Sequence, residues 1–291
     1  MAQAQSVINL LQTAEPELKF TLQTIRTEGD VKRRASLRKI GGKGVFVKEL
    51  ESALQQKTVD VAVHSAKDLP SKLPDGLILV AVPRRGPVED VLVSIYNLTL
   101  PDLPPHMTVA TGSPRRKAFV RLFRPDLKVV DIRGNVDTRL RKLKESRFDA
   151  MVLARAGLVR LGLERHICQI LPPDEFTPAA GQGALALEVR EDDPEVIQIV
   201  AGINSVRDFA CLTAERCLLQ RLNAGCSVPV GAWARWSGER MILDGVVLEP
   251  EGRKAIRSSG SISDVQDARE LGEKVAEDLL NQGAGELISD E

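Results

Sequence analysis

The chain has 291 residues, 43% of them apolar and 27% charged, with 40 basic side chains against 40 acidic ones. That length exceeds one ordinary core and implies two or three domains, and the composition excludes a disordered chain. Zero net charge removes the bulk electrostatic case for nucleic acid, and aromatics at 3% leave few stacking platforms for single strands. No apolar run approaches the ~18 residues of a membrane span, and MAQAQSVINLL lacks a secretory pattern.

In chain order, the pattern predicts a helix over Gln3–Thr13 and an alternating strand through Leu18, Phe20 and Leu22. A helix follows over Lys43–Gln56, with Phe46, Val47, Leu50 and Leu54 at helical spacing. Val59, Val61 and Val63 form a short strand and Leu77–Val82 another, which indicates a parallel α/β sheet covered on both faces. After the link Pro83–Pro87 the pattern restarts. Strands are predicted at Val91–Ser94, Thr108–Thr111, Lys128–Ile132 and Ala150–Ala154, with helices opening near Ser113, Asn135 and Ala156. A strand at Ala184–Val189 and a helix at Glu195–Asn204 return the chain to the first domain. From Asp208 the order changes: a long helix to about Asn223, strands at Val230–Trp236, Met241–Val247 and Lys254–Ser258, and a last helix over Ser263–Leu280. The fold class is α/β and α+β, with domains at 1–83 plus 184–204, 88–183, and 208–291.

Charge is balanced overall but not locally. Between Arg115 and Arg165 there are 15 Lys/Arg against 6 Asp/Glu, whereas His166–Val200 holds 7 acids and one base. A basic middle in a neutral chain points to a local anion site. Ser113-Pro114-Arg115-Arg116 is an N-cap with proline at the first helical position and two arginines in the first turn. Cations there oppose the helix dipole but stand beside backbone N–H groups that bind anions. Arg133, Arg139, Arg155 and Arg160 extend the same theme, while Lys142, Lys144 and Arg147 read as a solvated face.

The segment AVHSAKDLP, 62–70, reads in two ways. A strand delivers His64, Ser65, Lys67 and Asp68 into the turn after its carboxyl end, where open α/β sheets place ligands. Alternatively, it is a strand-to-loop cap stopped by Pro70 with its charges solvated. KIGGKG at 39–44 fails as a phosphate loop: Leu37 and Gly44 stand where a glycine and a Ser/Thr are required. GQG at 181–183 is equally weak as a dinucleotide signal. The four cysteines show no CxxC pair and the three histidines stand far apart, so no metal site is expected and a reducing compartment is. Cys211 and Cys217 read as core, and Cys226 lies on a Gly-rich loop.

Together these segments resemble the porphobilinogen deaminase family. The match runs through KIGGKGVFVKELE (39–51), AVHSAKDLP (62–70), ATGSPRR (110–116) and RGNVDTRLRKL (133–143). It continues in order through LARAGLVRLGL (153–163), PAAGQGALALEVR (178–190) and AGCSVPVGA (224–232). The resemblance implies two periplasmic-binding-protein-like α/β lobes around a cleft plus a small α+β domain. It implies a monomeric, cytoplasmic enzyme (stromal if an organellar targeting segment has been removed) with no nucleic-acid or membrane partner. Such enzymes join four porphobilinogen molecules head to tail, release ammonia, and free hydroxymethylbilane by hydrolysis. The product grows on a dipyrromethane cofactor held through a cysteine thioether, and Cys226 matches that cysteine.

By the same resemblance Asp68 is the catalytic carboxylate that faces the pyrrole cation. Ser65, Lys67, Ser113, Arg115, Arg116, Arg133 and Arg139 match positions that hold cofactor acids. Arg160 and Thr111 match substrate positions, and Lys43 lies in a mobile lid motif. The sequence departs at Gly112 and Pro114, where the family usually has Ser and Leu, and in the hinge RRGPVED (84–90). The match begins inside a helix that a strand bearing an Arg and a Ser usually precedes, so Met1 is expected to be an internal methionine of a longer chain. The rival reading is a non-catalytic polycarboxylate-binding protein or an inactive, N-terminally truncated copy.

Overall fold

The computed structural model describes residues 1–25, 47–70, 72–145, 147–225 and 228–288. Among them the strands form three sheets. The first takes β1 (Ala62–Ser65) and β2 (Leu77–Ala81) from the early chain and β8 (Leu185–Arg190) from its later return, in the order β1-β8-β2. Leu187 and Val189 bury one face of this sheet against Val7 and Leu11 of α1 (Ala2–Ala14) and Val200 of α6 (Pro194–Ala201). On the opposite face, Ala62 and Leu77 pack on Leu54 of α2 (Lys48–Gln55), and Ala186 packs with Val47 and Leu212.

The second sheet has the order β5-β4-β6-β3-β7, from β3 (Asp90–Ser94), β4 (Thr108–Ala110), β5 (Lys128–Val130), β6 (Ala150–Ala154) and β7 (Gln169–Leu171). Its helices are α3 (Pro114–Phe123), α4 (Val136–Lys144) and α5 (Arg155–Val159). The third sheet is an antiparallel meander of β9 (Val230–Ser237), β10 (Arg240–Leu248) and β11 (Ala255–Ile262). It packs on α7 (Val206–Arg221) and α8 (Ala268–Asn281), with α9 (Ala284–Ile288) beyond. Val246 and Leu248 bury into the second unit beside Phe119 and Phe176, so β10 serves two cores. The result is two α/β units and a smaller α+β unit.

Four helix starts fall within two residues of expectation and carry their own cap, whereas α8, with no side-chain cap bond, begins at Ala268 rather than Ser263. Ser113 accepts from the amide of Arg116, Asn135 from Thr138, Asp193 from Val196 and Ser205 from Asp208. The sheets depart from the parallel expectation: among the described residues the first pairs antiparallel throughout and the second is mixed. β8 runs antiparallel to both β1 and β2, and β3 runs antiparallel to β6 and β7. These are the strands by which the chain enters one α/β unit and re-enters the other, and each enters against the local direction.

Residues 18–22 form no strand. Alternation supplies an apolar face, and Phe20 packs beside the α1 cluster, but no neighbouring strand pairs with the segment among the described residues. The strand expected through Val59–Val63 begins only at Ala62. The Val59 carbonyl instead accepts from Arg190 Nη1 at 2.6 Å, and Asp60 pairs with the same guanidinium. β11 continues past Ser258 to Ile262 because its polar residues face solvent while the backbone pairs with β10. β7, three residues at a sheet edge, gave no periodic signal. No single helix among the described residues is long and apolar enough to cross a membrane.

The two crossings between α/β units touch each other. Gly86 donates to the Gly183 carbonyl at 3.2 Å, and Arg85 Nε donates to the Gln182 carbonyl at 2.9 Å. Glu215 of α7, with no exposed surface, receives both terminal nitrogens of Arg85 at 2.7 and 3.1 Å. It also accepts from the amides of Gly181 (2.6 Å) and Ala234 (2.8 Å). Removing one partner of such a pair leaves a buried charge uncompensated. Glu215→Ala is therefore expected to lower unfolding free energy by ~3–5 kcal/mol in urea titrations. A loss below ~1 kcal/mol, the scale of an exposed pair, would contradict this.

Candidate functional site

β1 ends at Ser65, and the chain continues as one 3-10 turn, Ala66–Asp68, before Pro70. Ala66 is buried and its amide donates to the Ala184 carbonyl at 3.1 Å, whereas Lys67 and Asp68 are exposed and Ser65 is half-buried. Beneath the turn lies Gly181 at φ +72; a Cβ there would stand 2.8 Å from the Lys67 nitrogen and the Ala66 carbonyl carbon. Only glycine allows the returning segment to press against the Asp68 turn in this conformation. The strand end thus displays Lys67 and Asp68 on a turn fixed from below.

The start of α3 supplies the opposing charges. Thr111 is fully buried, and its Oγ1 accepts from the half-buried Ser113's amide at 3.3 Å. At Gly112 a Cβ would approach the Ile132 carbonyl oxygen to 2.8 Å, which accounts for glycine where the resemblance anticipates serine. Arg115 and Arg116 are 3% and 6% exposed and both turn to the fully buried Asp90. Arg115 donates to Asp90 Oδ2 and to the Thr177 carbonyl, each at 2.6 Å, and its guanidinium lies 6.0 and 5.9 Å from the ring centroids of Phe119 and Phe176, which stack on each other. Arg116 donates to Asp90 Oδ1 through Nε at 2.9 Å and to Gln182 Oε1 at 3.1 Å. Gln182 Nε2 returns a bond to Asp90 Oδ1 at 2.9 Å. Burial works against the Asp90 charge, but the two guanidiniums outweigh it and hold the carboxyl below its ordinary value.

One carboxylate between two guanidiniums leaves an unbalanced positive charge, and Arg115 Nε is buried without a hydrogen-bond partner. This charge acts on Lys67. Burial by surrounding protein lowers the Lys67 ammonium to about 8, with Arg116 and Arg115 pressing the same way and Asp68 and Asp90 opposing. Lys67 as a residue is nevertheless exposed. Arg139, half-buried on α4, donates to the Gly134 carbonyl at 2.7 Å and lies within electrostatic range of both Arg116 and Asp68. Lys67, Asp68, Arg115, Arg116 and Arg139 therefore converge from two sheets.

The remaining candidates make other contacts. Arg133 is exposed, its carbonyl accepting from Lys142 Nζ at 2.9 Å. Arg160 donates to the Gly183 carbonyl at 3.0 Å, near the crossing, and burial lowers its guanidinium. Arg155 pairs with Glu89 at 3.0 Å. Lys43 and Cys226 lie outside the described residues. In the sequence Asp90 stands out only as a hinge residue, and Gln182 only as the middle of a glycine pair. The available signals were an acid opening an otherwise apolar buried strand and a polar residue between two glycines.

A family model described as "Porphobilinogen deaminase, dipyromethane cofactor binding domain" matches residues 1–198. A second, "Porphobilinogen deaminase, C-terminal domain", matches residues 209–281. The chain is 42% identical over 291 residues to a porphobilinogen deaminase of Brevibacillus brevis, covering 100% of this chain and 93% of the relative. It is 45% identical over 291 residues to a protein of the same name from Roseiflexus castenholzii, covering 99% of this chain and 95% of the relative. Among solved structures, the methionine binding protein MetQ aligns with a TM-score of 0.44 at 14% identity, over 68% of this chain and 82% of that one.

The Lys67–Asp68 proximity is directly measurable. NMR titration of the Lys67 Cε is expected to give a midpoint near 8, with the ammonium form below it and the neutral amine above. Because Asp68 supports the ammonium, Asp68→Asn is expected to move that midpoint further down. An unchanged midpoint would show that the two groups do not interact.

Proposed function

This chain belongs to the porphobilinogen deaminase family, and on that premise we propose that Asp68, Lys67, Arg116 and Arg139 are the centre of its active site. The chain is a transferase of tetrapyrrole biosynthesis. It condenses four porphobilinogen molecules into hydroxymethylbilane and uses a dipyrromethane cofactor. The observation that carries the site assignment is an exposed carboxylate among several cations at the end of β1.

A dipyrromethane bears two acetates and two propionates, and the cleft suits such a group. Four cations (Lys67, Arg115, Arg116 and Arg139) stand against two carboxylates, and one buried guanidinium nitrogen has no partner. When bound, the cofactor supplies the nucleophilic pyrrole carbon to which the first substrate adds. Lys67 and Arg139 hold its acids directly, with Ser65, Ser113 and Arg133 at the edges. Arg115 and Arg116 act mainly through the field that Asp90 leaves uncancelled. Thr111 sets the backbone before α3, Arg160 takes substrate acids from the crossing, and Lys43 belongs to the lid.

Cys226 is the proposed attachment point. Burial pushes the Cys211 thiol up to about 12 and raises that of Cys217, so neither presents a thiolate at neutral pH. Cys168 lies half-buried, its sulfur 3.6 Å from the Ser94 carbonyl. Cys226 occupies the connection between α7 and β9, and β9 is tied to the returning segment by the Ala232 amide and Pro178 carbonyl at 2.9 Å.

Catalysis follows from the placement of Asp68. When the substrate's aminomethyl group loses ammonia, positive charge spreads onto the pyrrole nitrogen. The Asp68 carboxylate faces that cation, and a preorganised charge of this kind lowers a barrier by roughly 3–4 kcal/mol. A merely binding protein would need cations for acids but no carboxylate among them. The sheets support domains at 1–83 with 184–204, 88–183, and 208–291, and the reading includes a cytoplasmic monomer with no nucleic-acid or membrane partner. Asp68→Asn tests it: turnover of porphobilinogen is expected to fall roughly 10²–10³-fold while the unfolding midpoint stays near wild type. An unchanged rate would refute the assignment.

A further inference from the structure

Behind the Asp68 turn lies a group of ionisable side chains that the chemistry does not use. His64 and Glu188 are 4% and 0% exposed, on adjacent antiparallel strands, with Nε2 and Oε2 2.8 Å apart. The other Glu188 oxygen is buried without a hydrogen-bond partner, and so is Oε1 of Glu51, which is 9% exposed on α2. Glu51 lies within electrostatic range of both Glu188 and His64, with Lys48 beside it. Burial first, then the Glu188 charge, raises the Glu51 carboxyl above its ordinary value. From α7, Arg216 also faces Glu188 electrostatically, and its Nη2 donates to the Pro70 carbonyl at 2.7 Å.

These contacts bracket the catalytic turn. His64 immediately precedes Ser65 and the turn Ala66–Asp68, while Pro70 lies two residues beyond Asp68. Glu188 thus stands behind both ends: it takes His64 directly and faces the arginine that holds Pro70. Pairing alone does not require charge here, since a strand end can be fixed by its ladder and by apolar packing. A buried carboxylate with one oxygen unsatisfied is costly, and the groups it meets are His64 and Arg216.

We propose that Glu188 is a positioning residue for Asp68, fixing the turn through His64 on one side and Arg216 on the other. This rests on the assignment of Asp68 as the catalytic carboxylate. Glu188 touches neither substrate nor cofactor; its effect is on where the Asp68 carboxylate points. Misplacement of a reacting group by about 1 Å lowers rates by up to roughly 10²-fold, so the loss belongs in kcat.

The test is a double-mutant cycle on the cofactor-loaded enzyme. Glu188→Gln keeps the side-chain length and a hydrogen bond to His64 but removes the charge. It is expected to lower kcat by roughly 10–100-fold with KM for porphobilinogen within about twofold. In an Asp68→Asn background the same change is expected to cost less than about twofold, because the group it positions is already gone. If Glu188→Gln is too unstable to load cofactor, His64→Gln is carried through the same cycle with the same expectation. Equal losses in both backgrounds, or a loss confined to KM, would overturn the proposal while leaving Asp68 in place. Full activity in Asp68→Asn alone would remove the Asp68 assignment and the proposal with it.

Discussion

Glu215 has no exposed surface, yet four donors from three parts of the fold end on its two oxygens. Arg85 comes from the outward crossing between the α/β units, the Gly181 amide from the returning one, and the Ala234 amide from the third sheet. A carboxylate so placed makes the relative position of the units a condition of its own solvation. If one unit moves away, a buried anion or a buried guanidinium loses its partner, and both are expensive. The crossing strands, β3 and β8, run against their neighbours for the same topological reason. Each must leave or re-enter through this point, and Gly181 then lies close enough to support the turn that carries Asp68.

Asp90 repeats the device one step nearer the chemistry. It opens β3, the strand that enters the second unit, and it draws the first two arginines of α3 inward. Arginines in a first helical turn oppose the helix dipole. Here their charge is directed: Asp90 cancels one of the two, and the remainder falls on Lys67 and Arg139. Burial is the main cause of the depressed Lys67 ammonium, and the two arginines add to it. A cleft of this sign suits a growing chain of acid-bearing pyrroles, in which every added unit brings two more carboxylates. On the proposed assignment the same field would oppose the cation formed on loss of ammonia, and the Asp68 carboxylate offsets it.

Much of this was legible in the residues, unevenly. Helices were readable because their caps are local: Ser113, Asn135, Asp193 and Ser205 each bond an amide three residues on. Strand direction was not, because β8 takes its antiparallel setting from β1 and β2, and β3 from β6 and β7, all far away in sequence. The Val59–Val63 strand shifted because Arg190, more than a hundred residues later, takes the Val59 carbonyl. Asp68 and Lys67 were singled out by their place at a strand end and by the resemblance. The inward turn of Arg115 and Arg116 was hidden, since nothing local couples them to Asp90. His64 stood in a recognised motif, yet its partner Glu188 lies in another motif altogether.

The central claim is that this chain builds and carries its cofactor on Cys226 in a cleft made by Lys67, Asp68 and the arginines around them. Intact mass under denaturing conditions, with a peptide map around Cys226, tests it most directly. The account predicts an increment of two linked pyrrole units on that residue in the purified protein, or after incubation of unloaded protein with porphobilinogen or preassembled hydroxymethylbilane. A Cys226 peptide that stays unmodified after both incubations, or the same increment on another residue, would contradict it.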